Sequence, residues 1–362
     1  MLVDLRRTLT AAFAPPHYLV SEAVGVDLSA SGIKVATLSE TAHGLVLSSY
    51  ADARLPAGAF ADGDFVDRGA VVNLLGTLRK QHHLKNVHAS LPEAKSYVFE
   101  TAAAGHTKDE WRTAVEPHLD ELIPLPPAEA AFDVVPVGQT TDGEVRITGV
   151  GYARRVVEST LSVFDEAGIS VQSLEGEMFA AARALLPHGD TSTTLIIDVG
   201  RTTTKLAIVA SRIPLFATTI GIGGHSLTLA VQKHFGVTED EARRIKAERG
   251  IVSSSGNEDY IAAMFSTVSA IKDEIAMRLQ YWQGKAAFAG AHEPVSRAIL
   301  VGGNASLRGF PEYLEGILKI PVAAGDVFTN LASRNVWLPP LEYAESLAYA
   351  TSIGLALRNY VL

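Results

Sequence analysis

Two well-separated stretches of this chain carry the same order of residue types. Val24 to Leu38 reads VGVDLSASGIKVATL, and Leu195 to Val209 reads LIIDVGRTTTKLAIV. Each is a β-branched run, an aspartate, a turn of small and hydroxyl residues, and a second β-branched run. In both, a lysine follows at the same offset from the aspartate, as Asp27 with Lys34 and Asp198 with Lys205. Such runs are strand-like, and the short gap between them makes each pair a hairpin. One such hairpin is commonplace. Two that agree in acid, hydroxyl and lysine positions imply an internal duplication.

The rest of the chain lies between and after these hairpins. Trp111 to Leu122 has helical apolar spacing and is followed by Pro124, Pro126 and Pro127. Phe132 to Val137 and Gly149 to Ala153 read as strands. A helix is expected from Arg155 to Ala167, closed by Gly168 in a left-handed cap, and an alanine-rich helix from Glu177 to Leu186. After Gly221-Ile222-Gly223-Gly224 come helices at Ser226–Phe235 and, opened by Thr238, up to Arg249. A loop at Ser253–Asn257 precedes a long amphipathic helix from Tyr260 to Trp282, whose last aromatics read as core or subdomain contacts. The strand Ala298–Val301 runs into Gly302-Gly303-Asn304, and a helix follows from Phe310 to Leu318.

Several classes of function are excluded or disfavoured. The 362 residues contain no cysteine, which rules out disulfides, thiolate catalysis and cysteine-ligated zinc. A net charge of -9 argues against a nucleic-acid partner. No apolar run is long enough to span a bilayer. Asp4, Arg6 and Arg7 interrupt any signal-peptide core. Leu2, Leu5, Leu9 and Phe13 do share a helical face, read as a short docking helix or as a membrane-surface helix. His82-His83 reads as a solvated helix end.

An aspartate at the end of a buried strand, followed by Ser, Thr and Gly, suits phosphate and magnesium. The turn donates N–H and hydroxyl groups to phosphate oxygens, and the carboxylate holds a metal-bound water. The plainer alternative is an aspartate that caps its own turn. Gly302-Gly303 lets backbone approach a base or phosphate closely at the end of a strand.

Asp27 to Ser31, Glu177 with its alanine-rich helix, Asp198 to Thr203, Ile299 to Gly309 and Ser346 to Leu357 follow one another as in a known family. They stand in the order of the phosphate-1, connect-1, phosphate-2, adenosine and connect-2 motifs, so residues 22–362 resemble the actin/Hsp70/FtsA superfamily. The resemblance implies an α/β, actin-like ATPase fold of two duplicated, ribonuclease H-like domains around a nucleotide cleft. The first domain would be 22–190, with an inserted subdomain at about 91–150, completed by 340–362. The second would be 191–339, with an insert at about 226–284, and 1–21 would be a separate segment. ATP or ADP would bind with Mg²⁺, held through water by Asp27 and Asp198. Ser29, Ser31, Gly200, Thr202 and Thr203, with Lys34, would contact phosphate. Gly302, Gly303 and Asn304 would contact adenosine, and Lys246 would also bind the nucleotide. Glu177 stands where the superfamily orients the attacking water, or is an ordinary helix-start glutamate.

Within the superfamily the chain is similar to the PilM family of type IV pilus assembly, through Glu116–Val137, Gly221–Gly250 and Ser346–Arg358. That similarity implies a cytoplasmic scaffold at the inner face of the inner membrane. It would bind the cytoplasmic N-terminal tail of a PilN-like protein near residues 86–135 and connect it to the pilus motor ATPase. FtsA-like proteins add a C-terminal membrane helix that the chain is expected to lack. A filament-forming protein and an active ATPase or kinase are the alternatives. Ser29, Arg201, Arg243 and Asn304 depart from the superfamily pattern and point to binding more than to hydrolysis.

Overall fold

A computed structural model of the chain describes residues 23–140, 143–252, 257–289 and 293–360. The N-terminal segment with its expected helix, and most of the Ser253–Asn257 loop, lie outside these. The first aspartate hairpin is β1 (Ala23–Ser29) with β2 (Gly32–Thr41), extended by β3 (Gly44–Arg54) into an antiparallel meander. A two-strand ribbon follows, β4 (Phe60–Ala61) and β5 (Asp64–Phe65), and then a helix at Arg68–His82. That helix crosses over to β6 (Asn86–Leu91), which lies parallel to β1. An insert of three strands comes next: β7 (Tyr97–Ala103), β8 (Ala130–Gln139) and β9 (Val145–Ala153). The helix Arg154–Glu166 then leads to β10 (Ser170–Gly176), parallel to β6. The resulting sheet order is β10-β6-β1-β2-β3.

The second half repeats this plan strand for strand. Its meander is β11 (Thr193–Val199), β12 (Thr204–Ala210) and β13 (Ile213–Ile220), with β14 (Arg297–Val301) and β15 (Val322–Ala324) added in parallel. The order is β13-β12-β11-β14-β15. Helices Gly224–Phe235, Glu239–Arg249 and Glu258–Ala289 make the crossover from β13 to β14, and Phe310–Leu318 makes the next. Parallel strands need such helical crossovers, which cover the sheet and leave its strands apolar on both faces. β1 is accordingly buried from Ala23 to Leu28.

The two sheets are joined through two short helices, Glu177–Leu185 and Ala350–Ala356, which pack on each other with small residues at the contact. Gly354 lies so close to the first of them that a Cβ there would stand 1.8 Å from the Ala180 carbonyl oxygen. On the other side, a Cβ on Gly25 of β1 would stand 1.9 Å from the Ser352 carbonyl oxygen. The helix Ala350–Ala356 is thus clasped between β1 and the helix Glu177–Leu185. One apolar cluster runs from the second sheet through Met178, Ala181, Ile353 and Leu357 to Ala23 and Ala36 of the first. The insert has its own core of Phe99, Val115, Leu119, Ile123, Val134 and Ile147.

Two local expectations differ from the structure. The helix expected over Trp111–Leu122 is broken into Lys108–Val115, a single 3-10 turn at Glu116–His118, and Leu119–Leu122. Pro117 lacks the N–H that would continue the ladder. Of the aromatics on the long helix, Trp282 is buried against Phe216 as expected, while Tyr281 is 60% exposed with its ring 6.0 Å from that of Phe216. The Gly168 cap (φ 72°) and the Thr238 start, a full capping box with Glu241, are as expected. His82 meets the Ser49 hydroxyl at 3.3 Å, and among the described residues no cluster of His, Asp or Glu could hold a metal.

Candidate functional site

In the β1–β2 register Asp27 stands opposite Lys34, and in the β11–β12 register Asp198 stands opposite Lys205. Directly opposed residues of an antiparallel pair project on the same face. The shared offset seen in the sequence is therefore a cross-strand acid–base pair, built twice. The two pairs are then used differently. Lys34 turns to Asp52 of β3, with its Nζ 3.8 Å from the Asp52 carboxylate. Lys205 instead reaches out of its own sheet to Glu177, 2.8 Å away, and lies 3.7 Å from Asp198 Oδ2.

Glu177 opens the connecting helix, where a carboxylate suits the helix dipole. It is 2% exposed and both its oxygens are engaged. Oε1 takes Lys205, and Oε2 accepts the Glu93 N–H at 3.0 Å. Glu93, equally buried, returns the exchange: its Oε2 accepts the Met178 N–H at 3.0 Å and its Oε1 the Ser96 hydroxyl at 2.5 Å. Burial pushes Glu93 and Asp27 above the usual carboxylate range, and pushes Glu177 up to about 8 against the pull of Lys205. Burial alone would lower Lys205, but Glu177, Asp198 and Asp27 together hold its proton above the ordinary lysine range. The charge that defines this centre is the Lys205 ammonium. Asp27 Oδ1 is buried without a hydrogen-bond partner.

The loop Gly200–Thr203 is clamped from two sides. The Gly224 N–H donates to the Gly200 carbonyl at 2.9 Å and the His225 N–H to the Arg201 carbonyl at 2.7 Å. From the other side Asn304 Nδ2 donates to the Gly200 carbonyl at 3.0 Å. Gly302 (φ 90°) sits against Asp198, where a Cβ would stand 2.3 Å from Oδ1. Lys246 donates to the Gly224 carbonyl (3.0 Å), Thr228 Oγ1 (3.0 Å) and Asn304 Oδ1 (2.8 Å). These partners use all three donors of its ammonium. Asn304 and Lys246 thus tie strand end, loop and helices together. Gly303 is exposed with open space beside it, and Thr202 is exposed on the loop. Ser29 and Ser31 share a hydroxyl contact of 2.9 Å within their own turn.

The structure brings Asp27, Glu177 and Asp198 together around Lys205, with Gly200, Gly302 and Asn304 against them. Lys34 is drawn toward Asp52. Three residues missed by the sequence reading carry much of the site. Lys205 showed only as a matching offset, and Glu93 gave no signal. Glu239 collects Arg201 (3.5 Å), His225 (3.5 Å) and Arg243. In sequence it stands only as an acidic first-turn residue of the helix opened by Thr238, four positions before Arg243.

Residues 25–360 match the family model described as "Type IV pilus assembly protein PilM". The chain belongs to the PilM family. It is similar to a chain of a solved PilM-PilN type IV pilus biogenesis complex, with 20% identity over 93% of this chain and 98% of that one, and a TM-score of 0.74. It is also similar to the ethanolamine utilization protein EutJ from Carboxydothermus hydrogenoformans, at 17% identity, covering 93% and 90% of the two chains, TM-score 0.55. MreB5 of Spiroplasma citri, solved with ADP, follows at 16% identity, 85% and 92% coverage, TM-score 0.52. These likenesses show the fold, which is the expected actin-like one. No described helix is long and apolar enough to cross a membrane.

The Mg²⁺ expected from Asp27 and Asp198 does not fit the donor set of this PilM-family chain. One Asp198 oxygen lies against Gly302 and the other is 3.7 Å from the Lys205 ammonium. A divalent ion held by both aspartates would stand beside that positive charge.

Proposed function

We propose that this PilM-family chain is a nucleotide-binding scaffold of type IV pilus assembly at the cytoplasmic face of the inner membrane. Its partner is the N-terminal tail of a PilN-like protein. The family match over 25–360 carries this reading. ATP or ADP would lie between the hairpin turns, its phosphates toward Ser29, Ser31, Thr202 and Thr203, and its base toward Gly303. Glu177, buried and with both oxygens engaged, favours a cleft that holds nucleotide over one that turns it over. An active ATPase or kinase needs a carboxylate free to meet water or substrate.

The tail would dock at the insert, near residues 86–135. The insert supports this by its order, β7-β9-β8, which leaves β8 as an edge strand on a small, separate core. An edge strand offers unpaired backbone groups to an extended peptide. Isothermal titration of a synthetic PilN-like tail peptide into the full chain, with and without ATP, tests it. One-to-one binding, stronger with ATP, is expected. Absence of binding in both states overturns the reading.

A further inference from the structure

The two duplicated hairpins are alike in sequence and unlike in use. In the first, Lys34 is drawn aside to Asp52 and Asp27 Oδ1 is left without a hydrogen-bond partner. In the second, Lys205 is 13% exposed at its side chain and reaches across to Glu177 of the connecting helix. It brings one compact positive charge among three carboxylates that come from three elements: β1, the helix Glu177–Leu185 and β11. A lysine ammonium is a point charge with three donors and no fixed plane, so it can serve several carboxylates at once. Mg²⁺ asks for octahedral oxygen ligands and gives up its waters reluctantly. Beside a fixed ammonium it would also meet like charge.

We propose that Lys205 is the resident cation of this cleft, standing among Asp27, Glu177 and Asp198 in place of a divalent metal, so that a nucleoside polyphosphate binds without one. The inference rests on the nucleotide reading above for its ligand, but the role of Lys205 is testable apart from it. Glu177 and Asp198 hold the ammonium in position, and the lack of a side chain at Gly302 leaves room for the Asp198 carboxylate. The ammonium then offers phosphate oxygens the positive charge that a metal would otherwise supply.

Manganese(II) binding followed by electron paramagnetic resonance on the full, nucleotide-free chain tests the first half. Wild type should bind no Mn²⁺ at this site in the submillimolar range. Lys205→Met should gain a site at least about tenfold tighter, and its melting temperature should rise with added Mn²⁺. Lys205→Arg, which keeps the charge, should behave as wild type and remains informative if the methionine variant does not fold. Stoichiometric Mn²⁺ binding by wild type that Asp198→Asn abolishes would overturn the proposal. The second half is read from ATP affinity, which should change by less than about threefold between excess EDTA and excess Mg²⁺. A loss of tenfold or more in EDTA would also overturn it. Should ATP fail to bind in either condition, the nucleotide reading falls, while the manganese result still decides the role of Lys205.

Discussion

Gly354→Val should leave the chain unable to fold, or destabilise it by roughly 3 kcal/mol or more, at the upper end of the cost of overpacking a core. The helix Ala350–Ala356 has no slack on either side. A Cβ at Gly354 would fall 1.8 Å from the Ala180 carbonyl oxygen and 2.4 Å from its carbon, both backbone atoms of the facing helix. Backing away is blocked, because Ser352 and Ala356 of the same helix already press on Gly25 of β1. Relief would have to separate the connecting helices, and with them the two sheets. Gly76→Ala is the matched control. It lies in the helix Arg68–His82 with nothing within 4 Å of its Cβ position. That change should stabilise by about 0.5–1 kcal/mol through helix propensity. Urea denaturation of the two variants should separate them in opposite directions from wild type. A Gly354→Val protein with wild-type stability would show that the helices are not packed as described.

The second large effect is at Glu177. Glu177→Ala removes the Lys205 partner and the acceptor of the Glu93 N–H together. A cost of about 3 kcal/mol is expected, as for other broken buried pairs. Glu177→Gln keeps an acceptor for Glu93 and should cost less than half of that. The two variants also differ from wild type in pH dependence. Burial raises Glu177 to about 8, above its ordinary 4.5. The folded state therefore binds a proton more tightly than the unfolded one. The stability this contributes is full below pH 4.5 and is lost as pH rises through 8. Asp27 and Glu93 are shifted in the same direction by burial. The wild-type melting temperature should thus fall between pH 6 and pH 8.5, and Glu177→Gln should flatten that fall. An unchanged slope in the glutamine variant would mean that other groups dominate it.

The parts of this molecule that were legible in sequence are those set by local periodicity. The two hairpins, the shared offset of aspartate and lysine within them, and the Thr238 cap each follow from spacing within one hairpin or turn. The helix over 111–122 misled because its apolar spacing survives Pro117 while its hydrogen bonds do not. The candidate site was legible only in part, since its key contacts join distant segments. Nothing near Lys205 in sequence announces Glu177, and nothing near Glu177 announces Glu93. Lys246 and Asn304, expected at the nucleotide, bond to each other, Asn304 also to the Gly200 carbonyl and Lys246 to Gly224 and Thr228. Both carry polar groups suited to a ligand, and only tertiary packing decides that protein acceptors take them. Arg201 and Arg243 looked like separate departures from a pattern, yet both converge on Glu239.

The proposed nucleotide site between the duplicated hairpins is expected to bind ATP without efficient turnover. Isothermal titration of ATP into nucleotide-stripped protein, with phosphate release followed in the same samples, tests it most directly. One-to-one binding with an affinity in the micromolar range, and no phosphate release above that of buffer, is the predicted result. A protein that shows no heat of binding, or one that releases phosphate in many turnovers until Glu177→Ala stops it, would contradict the account.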